Sequence, residues 1–280
     1  MNELSLFTGY GGFSLGLRLA GVDTKTVCYV EIDKYCQAVL EARIADGILD
    51  EAPIWGDIKT FDGNPWRGQI DIITGGFPCP PFSIAGLRKG VEDERNLWPE
   101  TLRVVREVRP RILFLENVAN IVSGDVGRGF PSYASVIVGQ LAQEGYRVRW
   151  EVLGADDIGA PHHRKRWWCI GVLADSNSQR GCGRNTRGTD ASNAWESSSV
   201  EATQQYVLPT WPPSPNDADG WERVIRERPD LAPALSKEAE SQFRGVDNGR
   251  SHRVDELKAL GNGIVPAVAA EFLRRVMEPV

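Results

Sequence analysis

The 280-residue chain contains no apolar run of the ~18 residues that a membrane helix needs, so no membrane span is expected. Its opening residues, MNELSLF, have neither a basic segment nor a small-residue cleavage site. A secretory signal is therefore not expected, and the expected location is the cytoplasm. Cysteine is scarce and unpatterned: Cys28, Cys36, Cys79, Cys169 and Cys182 are odd in number and form no CxxC pair. None sits at a zinc-ligand spacing from the three histidines, which disfavours both a disulfide framework and structural zinc. Positive charge is also short overall, and the net charge of -6 argues against wholesale coating of nucleic acid. Its distribution is uneven, however. Between Ala160 and Asp190, Arg164, Lys165, Arg166, Arg180, Arg184 and Arg187 face only Asp175 and Asp190, an island that can meet phosphates or serve as a solvated face.

What is present reads as an α/β protein. Apolar, β-rich runs (LSLF, TVCYVE, DIITGG, RILFLE, VRWEVL and WWCIGVL) alternate with stretches of helical spacing (GFSLGLRLA, KYCQAVLEARIA, NLWPETLRVVREV and SYASVIVGQLAQEG) through the first 172 residues. Gly145 closes the last of these as a C-cap. The alternation predicts a doubly wound, mostly parallel sheet. From Asp175 to about Asn216 the composition turns to Ser, Asn, Gly, Thr and Arg and ends in PTWPPSP, where regular structure should lapse. A short helix is expected near Gly220–Glu227, and VDELKALGNGIVPAVAAEFLRRVMEP reads as a loop followed by an amphipathic helix. No internal repeat is visible.

Several residues fall where such sheets carry chemistry. The first strand runs into FTGYGGFSLGL, where Phe7, Gly9, Gly11 and Gly12 form a tight turn before a helix and bring backbone N–H groups near a ligand. The spacing departs from GxGxxG, and a plain strand-to-helix turn is the alternative. The second strand ends in Glu31, placed to accept from two ribose hydroxyls. Asp57, in the turn WGDI, can accept from an adenine amino group or stand as an ordinary loop aspartate. In DIITGGFPCPPFSIAG, three prolines stiffen the backbone around Cys79 at the sheet's carboxyl edge, whereas Cys28, Cys36 and Cys169 look like small core residues. RILFLENV ends another strand with Glu116 and Asn117 on the same edge. A carboxyl group in a partly dry pocket there can have a raised pKa, although a salt bridge or helix cap would also occupy it. In GAPHHRKRWWCIG, Arg164 and Arg166 enter a strand two residues apart and project to one side, able to grip a phosphate or a base carbonyl.

With these residues in order, the chain resembles the DNA cytosine-5 methyltransferase family along nearly all its length. FTGYGGFSLG is similar to that family's cofactor loop, VEID with Glu31 and Ile32 to its ribose-binding motif, and GDI with Asp57 and Ile58 to its adenine-side motif. GGFPCPPFS with Pro78 and Cys79 resembles its catalytic loop, and ENV its base-binding motif. PHHRKR resembles its arginine motif, with His162 where the family has glutamine, and GNGIVP resembles the motif that opens its last helix.

The resemblance implies a Rossmann-like class I methyltransferase sheet formed by residues 1–172 and 258–280, with residues 173–257 as a small, irregular target recognition region. It implies S-adenosyl-L-methionine as cofactor, double-stranded DNA as substrate and a monomer in the bacterial cytoplasm, phage- or mobile-element-encoded genes included. A cognate restriction endonuclease acting separately stays open. Asn262 and Ile264 would complete the methionine side of the cofactor pocket. Cys79 would attack carbon 6 of a cytosine flipped from the duplex, with Glu116 stabilising a proton at ring nitrogen 3 and Arg164 and Arg166 holding the base carbonyl and the catalytic loop. The segment from Ser83 to Arg95 would close over DNA. Transfer of the methyl group to cytosine in RNA, binding without turnover, and a nicotinamide dehydrogenase are the competing readings.

Overall fold

The computed structural model describes residues 1–79, 96–123, 132–174, 211, 217–227 and 262–277. Pro80, Pro81, the segment from Ser83 to Arg95, Cys182 and most of residues 173–257 lie outside the described residues, and with them the expectations for loop closure and for the target region.

Seven strands form one mixed sheet. They are β1 (Asn2–Leu6), β2 (Lys25–Val30), β3 (Ile54–Trp55), β4 (Ile72–Gly76), β5 (Ile112–Val118), β6 (Tyr146–Leu153) and β7 (Arg166–Leu173), in the spatial order β3-β2-β1-β4-β5-β7-β6. The first five run parallel, and β7 is antiparallel to both β5 and β6. The chain order reverses at β1 and β4, the topological switch point where open α/β sheets bind ligands. The apolar runs explain the placement: IITG of β4 and ILFLEN of β5 are buried along their length, as strands covered by helices on both faces must be.

Helices α1 (Gly12–Leu19), α2 (Lys34–Ala45), α3 (Trp98–Val108) and α4 (Tyr133–Gln143) connect these strands. Further on come α5 (Ala218–Glu227) and α6 (Pro266–Met277). Local chemistry sets their ends. Asp33 caps α2 by accepting from the Tyr35 and Cys36 N–H groups, and Ser132 caps α4 by accepting from Ser135 N–H. Gly145 follows α4 at φ +87°, the left-handed turn for which glycine was expected.

The two faces of the sheet are filled differently. Phe13 of α1, Phe114 of β5, Trp168 of β7 and Phe272 of α6 form one aromatic cluster, with Phe114 and Phe272 stacked at 5.8 Å. On the other face Trp98, Leu102, Tyr133, Ile137 and Trp167 pack beneath α3 and α4. Neighbouring Trp167 and Trp168 thus serve opposite cores, as a period of two requires. Truncating such a buried ring to alanine costs roughly 3–5 kcal/mol. Helix α6 returns to lie on α1, and the approach is so close that a Cβ on Gly16 would sit 2.7 Å from the Ala269 Cβ. Under this contact the fully buried Glu3 accepts from the Thr26 and Thr74 hydroxyls at 2.7 and 2.6 Å, which ties β1 to its two neighbours. Burial pushes its carboxyl pKa up. Among the described residues no helix is long and apolar enough to cross a membrane, and no His, Cys, Asp and Glu cluster could hold a metal ion.

Candidate active site

The carboxyl ends of β1, β2, β4 and β5 share one edge, and the residues that follow them meet there. After β1 the chain reverses sharply through Phe7, Gly9 and Gly11, all at positive φ (51°, 57° and 79°). For Phe7 this left-handed conformation is a strained one, of the sort found at functional turns. A Cβ on Gly9 would meet nothing within 4 Å, so that turn faces open space, while one on Gly12 would fall 2.6 Å from the Ile264 Cβ. The turn is therefore closed on one side by the segment before α6 and open on the other.

Glu31, at the end of β2, is buried and holds this turn in place. One carboxylate oxygen accepts from Gly9 N–H at 2.7 Å and the other from Asp33 N–H at 2.8 Å. Each oxygen retains a second lone pair for a ligand hydroxyl. Next to it Ile32 is 64% exposed, an apolar side chain presented to an empty surface. Asp57 accepts from Lys59 N–H and caps a single 3-10 turn. Ile58 is buried in the core, and its carbonyl accepts from Arg103 Nη2 at 2.7 Å. Asn262 is exposed and Ile264 half-buried. The glycine turn, the anchored carboxylate and the bare isoleucine make a cradle whose donors, acceptors and apolar wall fit a nucleoside carrying an amino-acid tail.

The thiol is fastened from several sides. Phe77 is buried and packs on Trp98 at 5.0 Å, its carbonyl accepts from Asn117 Nδ2 at 2.8 Å, and the Pro78 carbonyl accepts from Leu97 N–H. Pro78 is exposed and Cys79 half-buried, with Sγ 2.7 Å from Asn117 Oδ1, to which it donates. Burial, reinforced by the charge of Glu116, pushes the thiol up to about 11, so the resting group is the neutral thiol. Asn117 was not among the candidates for this role. A period of two puts it on the face opposite Glu116, and only the course of the Pro78–Cys79 backbone across that face reveals its contact.

Glu116 points to the other side of β5. A Cβ on Gly76 would lie 3.0 Å from its Oε2 and 3.6 Å from Ile264 Cδ1, so Gly76 leaves room for the carboxyl group. Arg166 Nε is 3.0 Å from Glu116 Oε1. Even so, Glu116 is only 7% exposed, and burial outweighs the lowering by Arg166 and Arg164 to raise its pKa to about 7. Arg164 interacts electrostatically with Glu116 and Arg166, in keeping with projection to one side, but its Nη2 donates to the Gly263 carbonyl at 2.6 Å. His162 is exposed and lies edge-on to Trp211.

A seven-stranded sheet of this order, carrying a glycine turn after β1 and a thiol and a carboxyl group after β4 and on β5, is a Rossmann-like fold of the methyltransferase type. The model of the C-5 cytosine-specific DNA methylase family matches residues 1–243, and the chain belongs to that family. Type II methyltransferase M.CviJI from Paramecium bursaria Chlorella virus IL3A is 36% identical over 61% of this chain and 43% of its own length. M.NgoMIV from Neisseria gonorrhoeae is 37% identical over 59% of this chain and 49% of its own. The chain thus spans about half or less of the length of these curated relatives. Among solved structures, DNMT2 of Spodoptera frugiperda covers 99% of both chains at a TM-score of 0.60 and 13% identity. Dnmt2 of S. pombe covers 99% of this chain and 98% of its own at a TM-score of 0.57 and 18% identity. At such identities the likeness is one of fold.

Proposed function

We propose that the chain transfers a methyl group from S-adenosyl-L-methionine to carbon 5 of cytosine in double-stranded DNA, at a short specific sequence, through a covalent adduct with Cys79. The observation that carries this reading is a half-buried thiol under the electrostatic influence of a buried carboxyl group of near-neutral pKa, the carboxyl lying beside Gly76 and Ile264 at the glycine cradle.

Carbon 5 of cytosine is too weak a nucleophile to accept a methyl group unaided. Cys79 adds to carbon 6 as its thiolate, while Glu116, half of it protonated near pH 7, places a proton at ring nitrogen 3. The addition leaves an enamine with electron density at carbon 5. The bound cofactor would supply an electrophilic sulfonium methyl, held by Phe7, Gly9, Gly11 and Gly12 with Asn262 and Ile264 on its methionine side. Glu31 would take the ribose hydroxyls, with Ile32, Asp57 and Ile58 at the adenine and Pro78 at the mouth. Loss of the carbon 5 proton then expels the thiolate and restores the aromatic ring. Arg166 keeps Glu116 oriented, and with Arg164 it supplies positive charge to the base carbonyl and the loop. A thiol fixed between two strand ends cannot reach carbon 6 within the base stack, so the cytosine must be flipped out. Residues 173–257 would choose the sequence.

Bisulfite sequencing of DNA from cells expressing the chain tests this directly: new methylated cytosine in one sequence context is expected, and none with Cys79→Ala. Absence of new methylated cytosine with the intact chain would refute the reading. Methyl transfer from labelled cofactor to RNA but not to duplex DNA would replace its substrate.

A further inference from the structure

Arg164, just before β7, and Arg166, its first residue, make different direct contacts. Arg166 engages Glu116, whereas Arg164 reaches across 99 residues of sequence to the Gly263 carbonyl at 2.6 Å. Gly263 lies beside Ile264, and Ile264 is the side chain that closes the glycine turn. Its Cβ and carbonyl oxygen lie 2.6 and 3.0 Å from where a Cβ on Gly12 would be, and its Cδ1 lies 3.6 Å from the corresponding point on Gly76. Gly76 in turn borders the Glu116 carboxylate. A half-buried guanidinium thus donates to the carbonyl next to the residue that closes the glycine turn. The bond is charge-assisted and only partly screened by water, so it holds the segment more firmly than a neutral donor would. Farther along, the packing of α6 on α1 near Gly16 and Ala269 also restrains this part of the chain.

We infer that Arg164 is a positioning residue for the cofactor side of the site, fastening residues 262–264 against the glycine turn in addition to its longer-range effect on Glu116, while Arg166 serves the base side through direct contact with Glu116. The inference rests on the proposed use of S-adenosyl-L-methionine. It divides between two subsites a pair of arginines that spacing alone assigns to one. It also means that the arginine loop and the segment before the last helix, far apart in sequence, meet through the bond from Arg164 to the Gly263 carbonyl.

The test is calorimetric binding of S-adenosyl-L-homocysteine to the full chain without DNA, so that no base chemistry contributes. Arg164→Met should weaken binding about tenfold, the loss expected for one charge-assisted hydrogen bond. Arg166→Met should stay within about twofold of the parent. Arg164→Met and Ile264→Ala should be non-additive in a double-mutant cycle, because both act through one segment. If Arg164→Met does not fold, Arg164→Gln, whose amide is too short to span the gap, carries the test and must also lose affinity. Equal affinity for parent and Arg164 variants, equal losses at both arginines, or additivity with Ile264→Ala would overturn the inference. Failure of the parent itself to bind would instead refute the proposed cofactor.

Discussion

Raising the pH through neutrality acts on Glu116 and Cys79 in opposite senses. The proposed reaction asks for a protonated Glu116 and an ionised Cys79, yet their values lie near 7 and 11, the reverse of that order. The required pair is thus a minor form. Moving the proton from thiol to carboxylate spans about four pK units, or about 5 kcal/mol, and the competent fraction is on the order of 10⁻⁴. Below pH 7 that fraction rises tenfold per pH unit as the thiol ionises. Between about 7 and 11 it is constant, because each gain in thiolate is matched by a loss of protonated carboxyl. The rate constant kcat/KM for duplex DNA, measured with labelled cofactor at saturation from pH 5.5 to 9, should rise and then level near pH 7, since it reports the free enzyme. With Glu116→Gln the rate should fall at every pH, and the break near 7 should vanish, leaving a continuous rise toward the thiol value. A break near 7 that persists in Glu116→Gln would refute the assignment of that ionisation to Glu116.

The same ionisation bears on stability. Because the folded-state pKa of Glu116 is raised, its destabilising effect is absent below the unfolded value near 4.5, grows as pH rises and is complete above about 7. It should reach about 3 kcal/mol, so Glu116→Gln should gain stability over the parent between pH 5 and pH 8 in urea titrations. Gly16→Ala should destabilise the fold by about 1–3 kcal/mol, because its Cβ would meet Ala269 at 2.7 Å with the Pro266 carbonyl close behind. Thermal melts of the free protein check this, and an unchanged Tm would mean that α6 is not seated on α1. A thiol pushed up to about 11 holds roughly a hundredfold less thiolate at pH 7 than an unperturbed cysteine, so alkylation of Cys79 by iodoacetamide should be slower than that of glutathione by a similar factor. Mass spectrometry against Cys79→Ala reads that rate directly.

Much of the frame was legible in the sequence because it rests on local patterning. Each apolar run became a strand within one or two residues, and Gly145 followed the end of α4 as its place in the sequence implied. The positions of Cys79 and Glu116 followed from the same logic, since side chains at or just beyond the carboxyl ends of adjacent parallel strands must share an edge. Long-range partnership was less visible. Alternation along β5 separates Glu116 from Asn117, but nothing in ENV says that the backbone of Phe77 and Pro78 passes over Asn117 and places the thiol 2.7 Å from its amide oxygen. Likewise two arginines at a spacing of two suggest a common target, and only the return of the chain to Gly263 separates their partners. The serine- and asparagine-rich stretch carries no periodicity at all, so its sequence offers no face to bury and no register to read.

These contacts share one physical theme: the site is assembled from groups kept neutral by burial beside cations insufficient to reverse it. Arg166 touches Glu116 and Arg164 acts on it at longer range, yet the carboxyl stays near neutrality because desolvation dominates. The charge on Glu116 in turn raises the thiol. A cytosine entering between them would change both terms together. Its ring nitrogen offers the Glu116 proton a partner, and removal of negative charge from the carboxyl relieves the repulsion that keeps Cys79 protonated. On the proposed mechanism the base itself would thus favour ionisation of Cys79, and a thiol that stays protonated until then reacts slowly with other electrophiles.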